Sequence, residues 1–247
     1  MVLTGTRDIA SLLDCAPMLD NLDAEAWEIA GVELLHLRYE IDDSNREALL
    51  PRALHPTIPA TVIFTAARYP DSPVGPFMLA QVRIGCRSAA LPRGFLLRAY
   101  SDSPAAADAL ARRWGYACDV GNVKVARYHD RIVATVTKDG AEILRASLVD
   151  PEPISGGDVQ YVANMNLARQ RDGDPILLQV DPEYRFHRAE RGRCELAVFD
   201  RAAWSAEGVD PVYPIVASFT QCDTGFPAIR FVLDLNKTAL EGTRKIR

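Results

Sequence analysis

Residues 103–121 read Ser-Pro-Ala-Ala-Ala-Asp-Ala-Leu-Ala-Arg-Arg-Trp-Gly-Tyr-Ala-Cys-Asp-Val-Gly. Ser103 before Pro104 is a helix-start signal, because a hydroxyl can accept from an unpaired N–H and proline suits the first helical position. The alanine-rich run that follows predicts a helix over 105–113, with Arg112 and Arg113 in its last turn, where cations complement the helix dipole. The helix delivers the chain to Trp114-Gly115-Tyr116-Ala117-Cys118-Asp119-Val120-Gly121. A thiolate needs a cation or a helix N-terminus beside it. Cys118 instead follows a helix C-terminus and adjoins Asp119, so it reads as a small apolar filler, with nucleophile or general acid as the functional alternatives.

Outward from this segment, alternating and β-branched residues predict strands over 32–41, 60–67, 77–86, 95–100, 123–128, 132–137, 142–149, 177–180, 195–199 and 229–233. Turn residues at 70–73 and 138–140 and the short spacing favour antiparallel pairing, hence a barrel or sandwich. A second short helix is expected over 44–50, stopping at Pro51, and a turn or helix over 8–13. The Pro/Gly-rich stretch 151–157 reads as a loop within the domain and a candidate cover for a pocket. One domain spanning 1–247 is expected, with 1–30 as a peripheral N-terminal segment.

The chain has 247 residues, 48% hydrophobic and 25% charged, enough for a full core. Net charge is -5 with basic residues scattered, which argues against a nucleic-acid partner and for a small-molecule one. No apolar run reaches the roughly 20 residues of a membrane span. Asp8 and Asp14 interrupt what a signal peptide would keep apolar, so the expectation is a cytoplasmic protein. Five widely spaced cysteines without a C-x-x-C pair point to free thiols. His55 and His187 have no second ligand at metal spacing, and the phosphate-loop, dinucleotide and serine-hydrolase motifs are missing, so neither metal nor cofactor is expected. Residues 128–131, with His129 and Asp130, read as a hairpin turn.

Taken in order, Tyr39, Leu49-Leu50-Pro51, 54–59, Tyr69-Pro70, Gly75-Pro76-Phe77, Tyr100-Ser101-Asp102, 116–125 and Asp210 to Ser218 resemble the acetoacetate decarboxylase superfamily. The resemblance implies a mainly β, α+β fold, an antiparallel conical β-barrel with a few short helices, usually in homo-oligomers. It also implies a site in which a lysine pair supplies an imine-forming amine, the familiar instance of a lysine activated by a neighbouring cation. Here Cys118 and Asp119 fall on the lysine pair. By spacing, the family's arginine falls on Glu40 and its two glutamates on Phe64 and Leu79. A thiol cannot form an imine, so decarboxylation by the family mechanism is not expected.

In that setting Asp119 and Glu40 are the candidate acid–base pair, since two carboxylates in an apolar cavity can hold different protonation states. The competing reading is that each is salt-bridged or solvated. Strand parity puts Arg38 and His36 on the face of Glu40, and Phe77, Gln81 and Arg83 on the face of Leu79. Arg83 or Arg38 would hold an anionic group, and Phe64, Leu79 and Tyr116 would exclude water. Lys124, one of four lysines, lies six residues beyond Cys118, roughly 20 Å along an extended chain, and is expected outside the reactive centre.

The resulting expectation is a cofactor-independent enzyme of lyase, hydratase, isomerase or cyclase type, acting on a small oxo or enol compound without an imine. The alternatives are a non-catalytic binder of an apolar ligand on the same fold, and imine chemistry relocated to Lys124. The polar residues assigned to the cavity favour the enzyme over the binder.

Overall fold

Alternation along residues 27–41 sends Leu35, Leu37, Tyr39 and Ile41 into one hydrophobic core, and Val32 and Leu34 into a second on the other side of the sheet. The computed structural model describes residues 3–246. In chain order its strands are β1 (Trp27–Ile41), β2 (His55–Pro56), β3 (Thr61–Tyr69), β4 (Phe77–Ser88), β5 (Leu91–Ser101), β6 (Cys118–Val120), β7 (Asn122–Arg127), β8 (Arg131–Lys138), β9 (Ala141–Ile154), β10 (Ala163–Arg169), β11 (Pro175–Val180), β12 (Arg185–Phe199), β13 (Pro211–Phe226), β14 (Phe231–Leu233) and β15 (Thr243–Lys245). The helices are α1 (Ala10–Leu13), α2 (Pro104–Trp114) and α3 (Ala239–Gly242), and none is long and apolar enough to cross a membrane.

The strands form one sheet in the order β15-β14-β11-β10-β5-β4-β3-β1-β13-β12-β9-β8-β7, with β2 beside β4 and β6 beside β5. Pairing between these strands is antiparallel except where β5 meets β6 and β10. The fold is mainly β, as expected, but no pairing joins β7 to β15, so strand pairing does not close the expected conical barrel. The sheet curls instead, bringing β7 against β3, β4 and β5. The first core fills the space inside the curl. The second lies on the outer face of β1, β3 and β4 under α2.

Helix α2 is built as its sequence dictates. Ser103 Oγ accepts from the Ala106 N–H at 3.3 Å, and Pro104 opens the helix. Ala106, Ala107, Leu110 and Trp114 are buried. Trp114 donates to the Pro227 carbonyl at 2.7 Å, and Arg113 lies over both the Trp27 and Trp114 rings. Truncating a buried tryptophan costs about 3–5 kcal/mol, so this contact is a principal clamp on the second core.

Two other expectations change. Residues 44–50 form no α-helix; a 3-10 turn at Asp43–Asn45 replaces it, held by Asp42 accepting from the Ser44 N–H and Asp43 accepting from the Ala60 N–H. The 151–157 segment is largely the end of β9, paired with β12, followed by a second 3-10 turn. The N-terminal segment is not purely peripheral: Ala16, Leu19 and Ala24 are buried in the cores, and β1 begins within it.

Candidate functional site

Three neighbouring strands place His36, Thr65 and Gln81 side by side. His36 is opposite Thr65 across β1 and β3, and Thr65 is opposite Gln81 across β3 and β4. Arg83 stands two residues beyond Gln81 on the same face, which sets it roughly 7 Å further along the strand. Gly94 on β5 lies against the Arg83 stem; a side chain there would come within 3.1 Å of its Cδ. Asn164 enters from β10, Tyr161 and Tyr184 from the adjoining loops, and Thr224 from β13.

Tyr116 arrives from the end of α2. The N–H groups of Gly115 and Tyr116 close the helix on the Ala111 and Leu110 carbonyls. Gly115 has φ +67, and a Cβ there would meet Leu178 at 2.7 Å and Ala168 at 2.9 Å. Both the left-handed backbone and the close approach call for glycine. Tyr116 is thereby aimed into a closed chamber of about 20 Å³, room for about one water molecule.

The hydrogen bonds in the chamber are mostly among neutral groups. Asn164 Nδ2 donates to Gln81 Oε1 at 2.8 Å and to the Tyr116 hydroxyl at 3.2 Å. Arg83 donates to Asn164 Oδ1 and Thr65 Oγ1, both at 2.7 Å, and to the Val162 carbonyl at 3.0 Å. These acceptors solvate the guanidinium without neutralising it. Among the described residues no carboxylate pairs with Arg83 or with Arg38 beside it, and the Nε atoms of both are buried without a partner.

His36 is 1% exposed, and neither of its ring nitrogens has a partner. Its ring lies against Tyr161, with centroids 5.0 Å apart, and the Tyr161 hydroxyl bonds to Thr220 Oγ1 at 3.0 Å. Burial, then the charges of Arg83 and Arg38, hold His36 well below the ordinary histidine value of 6.5. Burial also lowers Arg38, with Arg83 adding repulsion. The chamber tyrosines move the other way: burial pushes Tyr184 up to about 12 and raises Tyr69, Tyr116 and Tyr161. The result is a neutral imidazole, protonated tyrosines and an excess of positive charge. An anion entering such a site gains donors that nothing else occupies.

Outside the chamber lies an open groove of about 720 Å³. Pro182, Tyr184, Thr224 and Gly225 line both spaces, so Tyr184 forms part of the wall between them. Tyr184 stacks on Phe186 and meets Tyr161 edge-on.

Of the sequence-derived candidates, the structure brings His36, Arg83, Gln81 and Tyr116 into the chamber; Arg38 is not in its lining but lies close enough for its charge to act on His36. Asp119 and Glu40 are not brought together there. Asp119 is paired with Arg98 and Lys138, each at 3.4 Å, and its side chain is 37% exposed. Glu40 stands four residues from His36, roughly 13 Å along the strand.

Phe64 points into the first core, against Tyr39 and Phe199, which corrects its expected place in the pocket. Leu79 shares the face of Gln81 but is buried in the second core. Cys118 packs at the margin of that core. Burial, with Asp119 beside it, pushes its thiol up to about 12, which removes it as a nucleophile near neutral pH. Lys124 lines a separate depression formed by β7, β8, β9 and β12. Among the described residues, no three histidine, cysteine or acidic side chains meet at metal-binding distance.

Thr65, Tyr69, Tyr161, Asn164, Tyr184 and Thr224 were not foreseen. Thr65 is the register neighbour of Phe64, and a one-residue shift moves a side chain to the opposite face of a sheet. Asn164 lies in a segment too polar to read as a strand. Tyr161 and Tyr184 lie in loops, where periodicity carries no information.

The family model described as acetoacetate decarboxylase matches residues 19–228. No curated protein matches the sequence at a significant level. Among solved structures, the chain is similar to an acetoacetate decarboxylase from Legionella pneumophila, at 18% identity over 85% of this chain and 88% of that one, with a TM-score of 0.73. It is also similar to the enduracididine biosynthesis enzyme MppR complexed with pyruvate, at 14% identity over 83% and 89% of the two chains, TM-score 0.67. A third is an acetoacetate decarboxylase-like enzyme from Sphingomonas wittichii RW1, at 16% identity over 84% and 94%, TM-score 0.62.

Proposed function

This chain belongs to the acetoacetate decarboxylase family, and on that premise we propose that it is a cofactor-independent, lyase-like enzyme. Its substrate is a small oxo or enol compound carrying an anionic group, and its chemistry is proton transfer without an imine. The observation that carries this reading is His36, buried with two unpartnered ring nitrogens beside two unpaired arginines. None of the four lysines lines the chamber or the groove, so no amine is available there for an imine.

The roles follow from the donor set. Arg83 and Arg38 hold the anionic group through the donors left free at Nε. The Tyr116 hydroxyl, kept protonated by burial and anchored by Asn164, donates to the substrate carbonyl oxygen. His36 takes the proton from the carbon beside that carbonyl, leaving the electron pair on the enolate oxygen, and can return the proton elsewhere. Binding of the anion offsets the arginine charges and thereby raises the basicity of His36 when the substrate is seated.

The test is proton exchange. In deuterated buffer at pH 7, the protein is expected to exchange the C3 protons of 2-oxobutanoate, followed by proton NMR, and His36→Gln to slow this by about 100-fold or more. Borohydride with the same compound is expected to leave every lysine unmodified. Binding without exchange would favour a passive binding protein, and a mass gain on Lys124 would favour a relocated imine. Exchange undiminished in His36→Gln removes the assigned base.

A further inference from the structure

The chamber and the groove share a wall but differ in charge and size. The chamber cations lack partners, whereas the groove's are already matched: Arg185 pairs with Asp223, and Arg230 reaches Glu183 at 4.0 Å. Beside these pairs the walls carry the carboxylates of Glu28 and of Asp181, the latter paired with Arg93, and small or apolar residues that include Ala30, Pro182, Tyr184 and Ala228. At about 720 Å³ the groove is in the size range that holds drug-sized ligands, while the chamber at about 20 Å³ takes little more than a water. A three- or four-carbon oxo acid bound at the chamber leaves the groove unused.

We infer that the groove is the binding site for the body of the substrate, and that this substrate is a longer-chain oxo acid. Its anionic oxo head displaces Tyr184 from the shared wall to reach Arg83, and its uncharged, mainly apolar body of about six or more carbons lies in the groove. Charge matching decides the orientation. The unpaired Arg83 and Arg38 attract the anion, and the groove, whose two arginines are matched and whose wall adds Glu28, offers no unmatched cation to a second one. Thr224, buried with an unpartnered hydroxyl and lining both spaces, offers a hydrogen bond at the junction of head and body. The inference rests on the proposed reading of the chamber as the anion site.

Calorimetric titration of the whole protein with 2-oxo acids of four, six, eight and ten carbons tests it. Affinity is expected to rise up to about four-fold per methylene until the groove is filled. Ala228→Trp, which fills the groove from one wall, is expected to erase most of that rise. Ala30→Trp, at an exposed position on β1, does the same from another wall and serves if the first variant fails to fold. Lys124→Ala, in the separate depression on β7, β8, β9 and β12, leaves the series unchanged. A flat series, or a rise untouched by either tryptophan, overturns the inference, as does failure of every chain length to bind. A flat series with proton exchange intact removes only the groove. A length-dependent series without exchange removes only the enzymatic reading.

Discussion

The chamber around Arg83 and the surface around Asp119 are built from similar groups, yet their charges are arranged in opposite ways. At Asp119 each charge is answered: the carboxylate meets Arg98 and Lys138, and Lys138 lies over the Tyr100 ring. Around Arg83 the cations face only neutral dipoles, and His36 faces no hydrogen-bond partner. A half-exposed, paired cluster contributes little to stability and has nothing left to offer a ligand. A buried, unpaired cluster is costly in the empty protein, and an anion relieves that cost. The proposed chemistry therefore rests on Arg83 and His36, while Asp119 is tied at the surface by its two cations.

Breaking the chamber should have the largest effect. Arg83→Met is expected to weaken binding of 2-oxooctanoate by about 100-fold or more, measured by titration calorimetry, because it removes the central fully buried cation. Binding within about three-fold of wild type would mean the chamber is not the anion site.

The next largest effect is on acid stability. His36 is neutral in the folded chamber and takes up its proton on unfolding, so stability held above the ordinary value of 6.5 is lost as pH falls below it. The loss runs at up to about 1.4 kcal/mol per pH unit for this one group. Urea unfolding at pH 7.5 and pH 5 should show a decline that is shallower by that amount in His36→Phe. An equal pH slope in both proteins would mean that His36 is protonated in the folded state.

On the Asp119 side the expected effects are small. Asp119→Asn should change unfolding free energy by no more than about 1 kcal/mol, and leave oxo-acid binding within about two-fold. Smallest of all, Cys118→Ala should leave binding unchanged. With its thiol pushed up to about 12, Cys118 should resist iodoacetamide at pH 7, with only about one molecule in 10⁵ as thiolate, while the exposed Cys15 is alkylated. Peptide mass spectrometry distinguishes the two sites.

Much of this architecture was legible in the sequence where a local rule acts. Ser103-Pro104 gave the start of α2, and Lys138-Asp139-Gly140 marked the β8–β9 turn. Strand parity placed His36 with Arg38 and Gln81 with Arg83. β13 was missed as a strand because Pro211 and Pro214 argue against one. They are tolerated because β12 no longer pairs with that stretch, leaving an edge where a missing N–H does no harm.

The site was legible only in part, and its errors follow strand geometry. The position assigned to Phe64 was one residue from Thr65 and hence on the wrong face. Those assigned to Leu79 and Glu40 were even numbers of residues from Gln81 and His36, hence on the right face but displaced along the strand. Tyr161, Asn164 and Tyr184 come together through the long-range return of the chain, which no local pattern encodes.

The most direct measurement is a calorimetric titration of 2-oxooctanoate into the wild-type protein, Arg83→Met and Asp119→Asn at pH 7. Binding retained in Asp119→Asn and lost in Arg83→Met is the predicted result. Binding lost in Asp119→Asn and retained in Arg83→Met would contradict the assignment and return the site to the Cys118–Asp119 segment.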